Sequence, residues 1–144
     1  MDEVDAVVTL DEDQCWDQLR TQVVGRLVTR VGERIDIFPV NYVVDERTVL
    51  FRTAEGGKLF GLTVNDQVLF EADGHTDADA WSVVVRGSAE RLDTAAEVER
   101  ADGLGLRPWI PTMKRNYVRV IPSTLTGRAF GRAPEPDRDG VQQY

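Results

Sequence analysis

Arg26-Leu27-Val28-Thr29-Arg30-Val31-Gly32-Glu33-Arg34-Ile35-Asp36-Ile37-Phe38-Pro39-Val40-Asn41-Tyr42-Val43-Val44-Asp45-Glu46-Arg47-Thr48-Val49-Leu50-Phe51-Arg52-Thr53 is the stretch that decides the fold. Its residues alternate with period two. Leu27, Thr29 and Val31 share one face, and Arg26, Val28 and Arg30 the other. Gly32-Glu33 reads as a turn. Ile35, Ile37, Pro39, Asn41 and Val43 then alternate with Asp36, Phe38, Val40 and Tyr42. Asp45-Glu46 turns the chain again, and Arg47 to Thr53 forms a third strand. Strands this close, joined by turns this short, make an antiparallel meander. Pro39 cannot donate to a ladder, so the second strand is expected to be bent, bulged or unpaired on one side there.

The third strand runs into Phe51-Arg52-Thr53-Ala54-Glu55-Gly56-Gly57-Lys58-Leu59. This order suits an anion cradle. Arg52 offers a planar fork of donors, Thr53 a hydroxyl and Lys58 a mobile charge. The glycines admit close backbone approach, and a helix from Glu55 to Val64 would present its positive end. A solvated strand-to-helix loop with a charged rim has the same composition. The stretch is not a Walker A loop, because Arg52 stands where its first glycine belongs and Leu59 where Ser or Thr belongs.

Upstream, Thr9-Leu10-Asp11-Glu12 has the form of a capping box with Thr9 as N-cap. Trp16, Leu19 and Val23 follow at helical spacing. Cys15 beside them reads as a small buried residue, since no base accompanies it. Downstream, Gln67 to Asp73 is a strand with Val68, Phe70 and Ala72 on one side, and Gly74 to Asp79 is a turn holding His75, read as surface. Ala80 to Leu92 is a long strand with Trp81, Val83, Val85, Gly87 and Ala89 on one face. That taper suits a close backbone approach or a barrel corner. Thr94 to Leu104 reads as a helix capped by Thr94 with Glu97. Pro108-Trp109-Ile110-Pro111 reads as a rigid connector. Asn116 to Ile121 is a strand ended by Pro122, and Thr124 to Phe130 is the last strand.

Six or seven strands in this order, with a few helices between them, give a mainly β fold: a small antiparallel barrel with peripheral helices. Residues 1–131 make one domain, and residues 132–144, rich in Pro, Asp and Gly, are expected to be disordered. Over 144 residues, 25 Asp and Glu outweigh 17 Lys and Arg, for a net charge of −8. That balance argues against nucleic-acid binding, which needs a basic face. No apolar run reaches the length of a membrane span, and the N-terminus lacks a signal-peptide pattern. One cysteine and one histidine build neither a disulfide framework nor a metal site. A cytoplasmic protein that binds a small anionic ligand is expected.

Seven stretches together carry a resemblance: Val24-Gly25-Arg26-Leu27, Phe38-Pro39-Val40-Asn41-Tyr42, Phe51 to Leu59, Phe70-Glu71-Ala72-Asp73, Trp81 to Gly87, Pro108-Trp109 and Leu125-Thr126-Gly127-Arg128. In order and spacing they resemble the pyridoxamine 5′-phosphate oxidase-like flavoproteins, the FMN-binding split-barrel family. The branch is that of small actinobacterial-type members related to nitroimidazole-resistance proteins. The resemblance implies a homodimer with FMN at the subunit interface and a small-molecule substrate. It places the cofactor phosphate at Arg52, Thr53, Lys58 and Leu59, and the isoalloxazine beside Pro39, Val40, Asn41 and Tyr42. Trp81 and Ser82 would line the same groove, with Trp81 either at the ring or filling the barrel mouth. Trp109 would come from the partner subunit, and Arg128 is either an ion-pair residue or a groove residue. The arginine and histidine motif of true pyridoxamine-phosphate oxidases has no match near the C-terminus, so vitamin B6 oxidation is not expected. Nor does a histidine occur before His75, where the nitroimidazole-resistance branch uses one. An FMN-dependent oxidoreductase is the expectation. F420 in place of FMN, or a non-catalytic module holding flavin or haem, are the alternatives.

Overall fold

The computed structural model describes residues 7–53, 57–106 and 116–131, with the backbone alone for residues 57–60. The elements run β1 (Val7–Leu10), α1 (Glu12–Leu19), β2 (Val24–Val31), β3 (Arg34–Asp45), β4 (Thr48–Thr53), α2 (Gly57–Val64), β5 (Gln67–His75), β6 (Asp79–Arg91), α3 (Ala95–Asp102) and β7 (Asn116–Gly131).

Six strands close a ring, β2-β3-β4-β7-β6-β5 and back to β2, and every pairing is antiparallel. β1 adds to the far half of β7. The alternation read from the sequence sets the two faces. Leu27, Val40, Tyr42, Phe51, Phe70, Val83, Val85 and Val118 point inward and are buried. Burying one such side chain contributes roughly 1.5–3 kcal/mol, so this shared inner face is what holds the barrel closed. Trp16 and Leu19 of α1 plug one end, where Tyr42 donates its hydroxyl to the Leu19 carbonyl at 2.6 Å. Leu62 of α2 closes the other. A second core lies outside the ring, where α3 packs Ala101 over Leu50 and Tyr117.

The ring is split along β3. Residues 34–41 of β3 pair with β2, whereas β4 pairs with β3 only from Tyr42 to Asp45. Pro39 stays in register opposite Arg26, in the part of β3 that is laddered to β2. The split antiparallel barrel expected from the sequence is therefore the fold, with seven strands.

Several local expectations are corrected. The N-cap of α1 is Asp11, not Thr9. Its carboxylate accepts from Gln14 N at 2.8 Å, while Gln14 Oε1 accepts from Asp11 N at 2.9 Å. Thr9 lies in β1 opposite Arg128, in a strand the sequence reading lacks. Val23 falls outside α1 and is exposed. Arg47 belongs to the turn, not to β4. Glu46 and Arg47 both take left-handed φ, 48° and 62°, the geometry of a tight two-residue hairpin. Arg47 then pairs with Glu12 and Asp13 of α1. β5 runs on through His75, and α3 stops at Asp102, two residues short of Leu104.

Pro122 does not end a strand. β7 continues past it with a register shift, Arg86 facing Thr124 and Gly87 facing Pro122. Ser123 is the extra residue of that bulge, and its hydroxyl donates to Arg86 O at 3.0 Å. The proline is tolerated because β7 changes neighbours there: its first part pairs with β4 and its last with β1. The expected connector at residues 108–111 and the tail at 132–144 lie outside the described residues.

Candidate functional site

Where β3 passes from β2 to β4, the chain leaves room beside it. Tyr42 N donates to Val23 O at 3.0 Å, so Val23 lies alongside β3 past the end of the β2 ladder, just after the turn that closes α1. Gly105 and Leu106, just after α3, approach the same part of β3. Between them lies a cavity of about 590 Å³, lined also by Asn41, Val43, Arg20 and Gln22. Its size is that of a small-molecule site.

Asn41 is half-buried on the outer face of β3 and lines this cavity. Its carboxamide can both donate and accept. Tyr42 contributes only the edge of an otherwise core residue. Its ring sits edge-on to Phe70 at 4.8 Å, and burial pushes its phenol above the ordinary range. Val40 is buried in the barrel, and Pro39 is exposed on the outer face.

Arg52 and Thr53 end β4 on opposite faces, as strand alternation requires. Arg52 is half-buried on the outer face, the face of Asn41 and Leu50, with its guanidinium 5.9 Å from the Tyr117 ring centroid. Thr53 is buried on the inner side opposite Asn116, whose Oδ1 accepts from Arg91 Nη2 at 2.8 Å. Helix α2 begins four residues later at Gly57, so the strand-to-helix junction is as the sequence suggested. The side chains of Lys58 and Leu59 lie outside the described residues.

Trp81 packs against the main core on the face of Val83 and Val85, while Ser82 lies on the outer face opposite Arg128. These two residues are not lining groups of the large cavity. Cys15 is buried against Gly127, and burial pushes its thiol up, which suits a packing residue and not a nucleophile.

Arg20, Gln22, Val43, Gly105 and Leu106 were not among the site residues expected from the sequence. Residues 20–22 sit between a helix and a strand with neither period, and residues 105–106 reach β3 only through the fold.

A charged cluster on the outer face was also missed. Arg26 Nη1 lies 2.8 Å from Glu71 Oε1 and 3.6 Å from Asp73 Oδ2. Burial pushes the Glu71 carboxyl up to about 7, the hydrogen bond and charge of Asp73 add to this, and Arg26 pulls it back. The folded state therefore keeps a proton that the unfolded chain releases near 4.5. Stability falls as pH rises from about 4.5 to about 7. Glu71→Gln removes that loss and still accepts from Arg26. Above pH 7 the variant is expected to be more stable than the native protein by about 1 kcal/mol, and below pH 4.5 to match it. Thermal melts across pH 4–8 would show this; a constant difference across the range would refute it.

With this geometry in hand, comparison with known proteins is informative. The sequence pattern of the pyridoxamine 5′-phosphate oxidase family matches residues 11–129. The chain belongs to that family. The uncharacterized Mycobacterium tuberculosis protein Rv3129 is 53% identical over 96 residues, 67% of this chain and 87% of its own length. A Corynebacterium glutamicum protein, provisionally named a pyridoxamine 5′-phosphate oxidase, is 48% identical with a TM-score of 0.83, covering 88% of this chain and 99% of its own. The FAD-binding protein of Mycobacterium smegmatis is 43% identical with a TM-score of 0.75, covering 87% of this chain and 99% of its own. The family match spans α1 to β6 and most of β7, so it includes every element that walls the cavity. Among the described residues, no helix is long and apolar enough to cross a membrane.

Proposed function

We propose that this family member is a flavin-binding protein that holds FMN at the split in its barrel. Its activity would be that of an oxidoreductase on a small molecule, in the cytoplasm. One observation carries the reading. The cavity beside Asn41 opens on the face of the barrel that also carries Arg52, five residues before the α2 N-terminus. A flavin nucleotide needs this combination of an apolar slot with a polar edge and a cationic anchor next to it.

The residues present fit that group. Asn41 offers a donor and an acceptor to the polar edge of a ring. The Arg52 guanidinium lies over the Tyr117 ring, 5.9 Å from its centroid, and a guanidinium fork is the geometry that suits a phosphate. Lys58 follows in the chain, and Thr53, buried on the inner side, stands apart from this anchor. A bound flavin supplies hydride acceptance and release, so the protein's part is to position, exclude water and set the local charge. The M. smegmatis relative, a FAD-binding protein, supports a flavin in this fold. The working form is proposed as a homodimer with the cofactor at its interface. Ile35 and Ile37, 66% and 63% exposed, continue the Pro39–Asn41 face and would be covered by the second copy.

Fluorescence-quenching titrations with FMN, FAD, riboflavin and F420, and a haem titration followed by absorbance, test the reading. Charge-assisted hydrogen bonds contribute about 1.5–3 kcal/mol each. Lys58→Ala is therefore expected to weaken FMN roughly ten- to a hundred-fold and to leave riboflavin unaffected. Uptake of F420 or haem alone, or equal losses for FMN and riboflavin, would overturn it. Sedimentation at micromolar concentration is expected to give twice the chain mass; a flavin-loaded monomer would remove the dimer from the proposal.

A further inference from the structure

The large cavity is lined on one side by β3 and on another by the residues that follow α1. Residue 24 faces Asn41 in the β2–β3 ladder, and Val23 O meets Tyr42 N. Before Val23 the chain turns into α1, with Gln22 N donating to Leu19 O, Thr21 N to Gln18 O and Arg20 N to Trp16 O. Of the described residues lining the cavity, Arg20 is the only charged one, and no carboxylate is among them. The remaining wall is largely apolar: Leu19, Val23, Val43 and Leu106. Arg20 is the one guanidinium among the described wall residues, in a chain whose net charge is −8.

Arg20 is lightly held. Among the described residues its one ion pair, to Asp17, is 3.5 Å long and joins side chains 49% and 78% exposed. An exposed pair of that kind contributes about 0–1 kcal/mol, so little is lost when the guanidinium turns to a ligand. Gln22 lines the cavity with it, and its amide makes a 3.4 Å contact to Thr21 Oγ1. Arg20 supplies a charged fork, the donor that recognises a carboxylate, while the Gln22 amide nitrogen packs beside Gly74 and Trp81. A cationic ligand would find no counter-charge among the described wall residues and would meet Arg20.

We propose that Arg20, on the cavity wall, selects a small molecule with an apolar body and one carboxylate, and that this is the substrate class of the protein. As a statement about substrate it rests on the flavin reading; as a statement about anion binding it does not.

Benzoate and benzamide have the same shape and differ in charge, so they make the probe pair. Both are titrated calorimetrically into the flavin-loaded protein and into the protein without added flavin. Benzoate is expected to bind at least ten-fold tighter than benzamide. Arg20→Ala is expected to remove that preference, and Arg20→Lys to restore part of it. A role confined to the end of helix α1 would change melting temperature and leave the benzoate-to-benzamide ratio as it was. Equal binding of the two probes, binding of neither at millimolar concentration, or a ratio unchanged in Arg20→Ala each overturns the proposal. The two readings fail separately. Discrimination through Arg20 in a protein that takes up no flavin would leave the anion site standing and remove the flavin. Flavin uptake without discrimination would do the reverse.

Discussion

Replacing Asp45 with Ala is expected to cost about 3–5 kcal/mol, a drop of roughly 10 °C or more in melting temperature. Asp45 ends β3 and is 5% exposed. Arg100 of α3 grips it with two nitrogens, at 2.6 and 2.8 Å, and Arg119 of β7 reaches it at 2.9 Å. Arg119 also donates to Thr48 Oγ1 at 2.6 Å. One carboxylate thus ties α3 and β7 to the β3–β4 hairpin. Its removal leaves Arg119, only 19% exposed, without its counter-charge. The cavity is expected to loosen with it, because Gly105 and Leu106 enter its wall directly from α3. The pH dependence follows from the same contacts. Hydrogen bonds from Arg100, and then from Arg119, hold the Asp45 carboxyl down at about 2 against the cost of its burial. A depressed carboxyl stabilises the fold above its ordinary 3.8, and that contribution disappears as pH falls through about 2. The native protein should therefore lose its advantage over Asp45→Ala between about pH 4 and pH 2. Denaturant melts at pH 7 and pH 2 would check both parts. A variant as stable as native at pH 7 would show that the triad contributes nothing net.

The barrel was legible because each strand buries one face. Alternation over residues 26–53, 67–73 and 80–92 carried most of the ring. It also put Gly87 on the inner face, where the reading expected a close approach. What alternation could not carry was choice between equivalent local signals. Thr9 to Glu12 and Asp11 to Gln14 both satisfy a capping pattern. The second wins because Val7 to Leu10 are taken by pairing with β7, a partner more than a hundred residues away. Pro122 misled for a similar reason. A proline stops a strand that needs every donor, but β7 has a bulge there and a change of neighbours.

The site divided along the same line. Asn41 was legible, since a polar side chain two residues after a strand proline marks an irregular place, and it does line the cavity. Arg52 and Thr53 were read as one cradle, whereas period two sends them to opposite faces at the end of β4. The wall built by Arg20, Gln22 and Gly105 had no local signature. It exists because α1 runs on into β2 beside β3 and because α3 is pinned to Asp45. Contacts between distant segments are a property of the closed ring, and periodicity within a segment does not report them.

Gly87→Ala is the other substitution expected to act strongly, at about 3 kcal/mol or more. A Cβ on Gly87 would stand 2.1 Å from the Ile121 carbonyl oxygen, 2.8 Å from its carbon and 2.9 Å from Pro122 Cα. All three are backbone atoms, so no side chain can swing away to relieve the clash. β6 and β7 would have to separate at the bulge, along the longest strand pairing of the ring. Gly103→Ala is the matched control. Gly103 caps α3 in a right-handed conformation, φ −76° and ψ −9°, which alanine adopts without strain. The nearest atom to its added Cβ is 3.4 Å away. That substitution is expected to be neutral or to stabilise by about 0.5 kcal/mol, through the lower entropy of the unfolded chain. Urea melts of the two variants separate the effects, since both add the same methyl group to a glycine. Gly87→Ala within 1 kcal/mol of native would mean that β6 and β7 do not approach as closely as the bulge requires. Equal destabilisation by both would mean that the cost comes from losing glycine and not from the packing at Ile121.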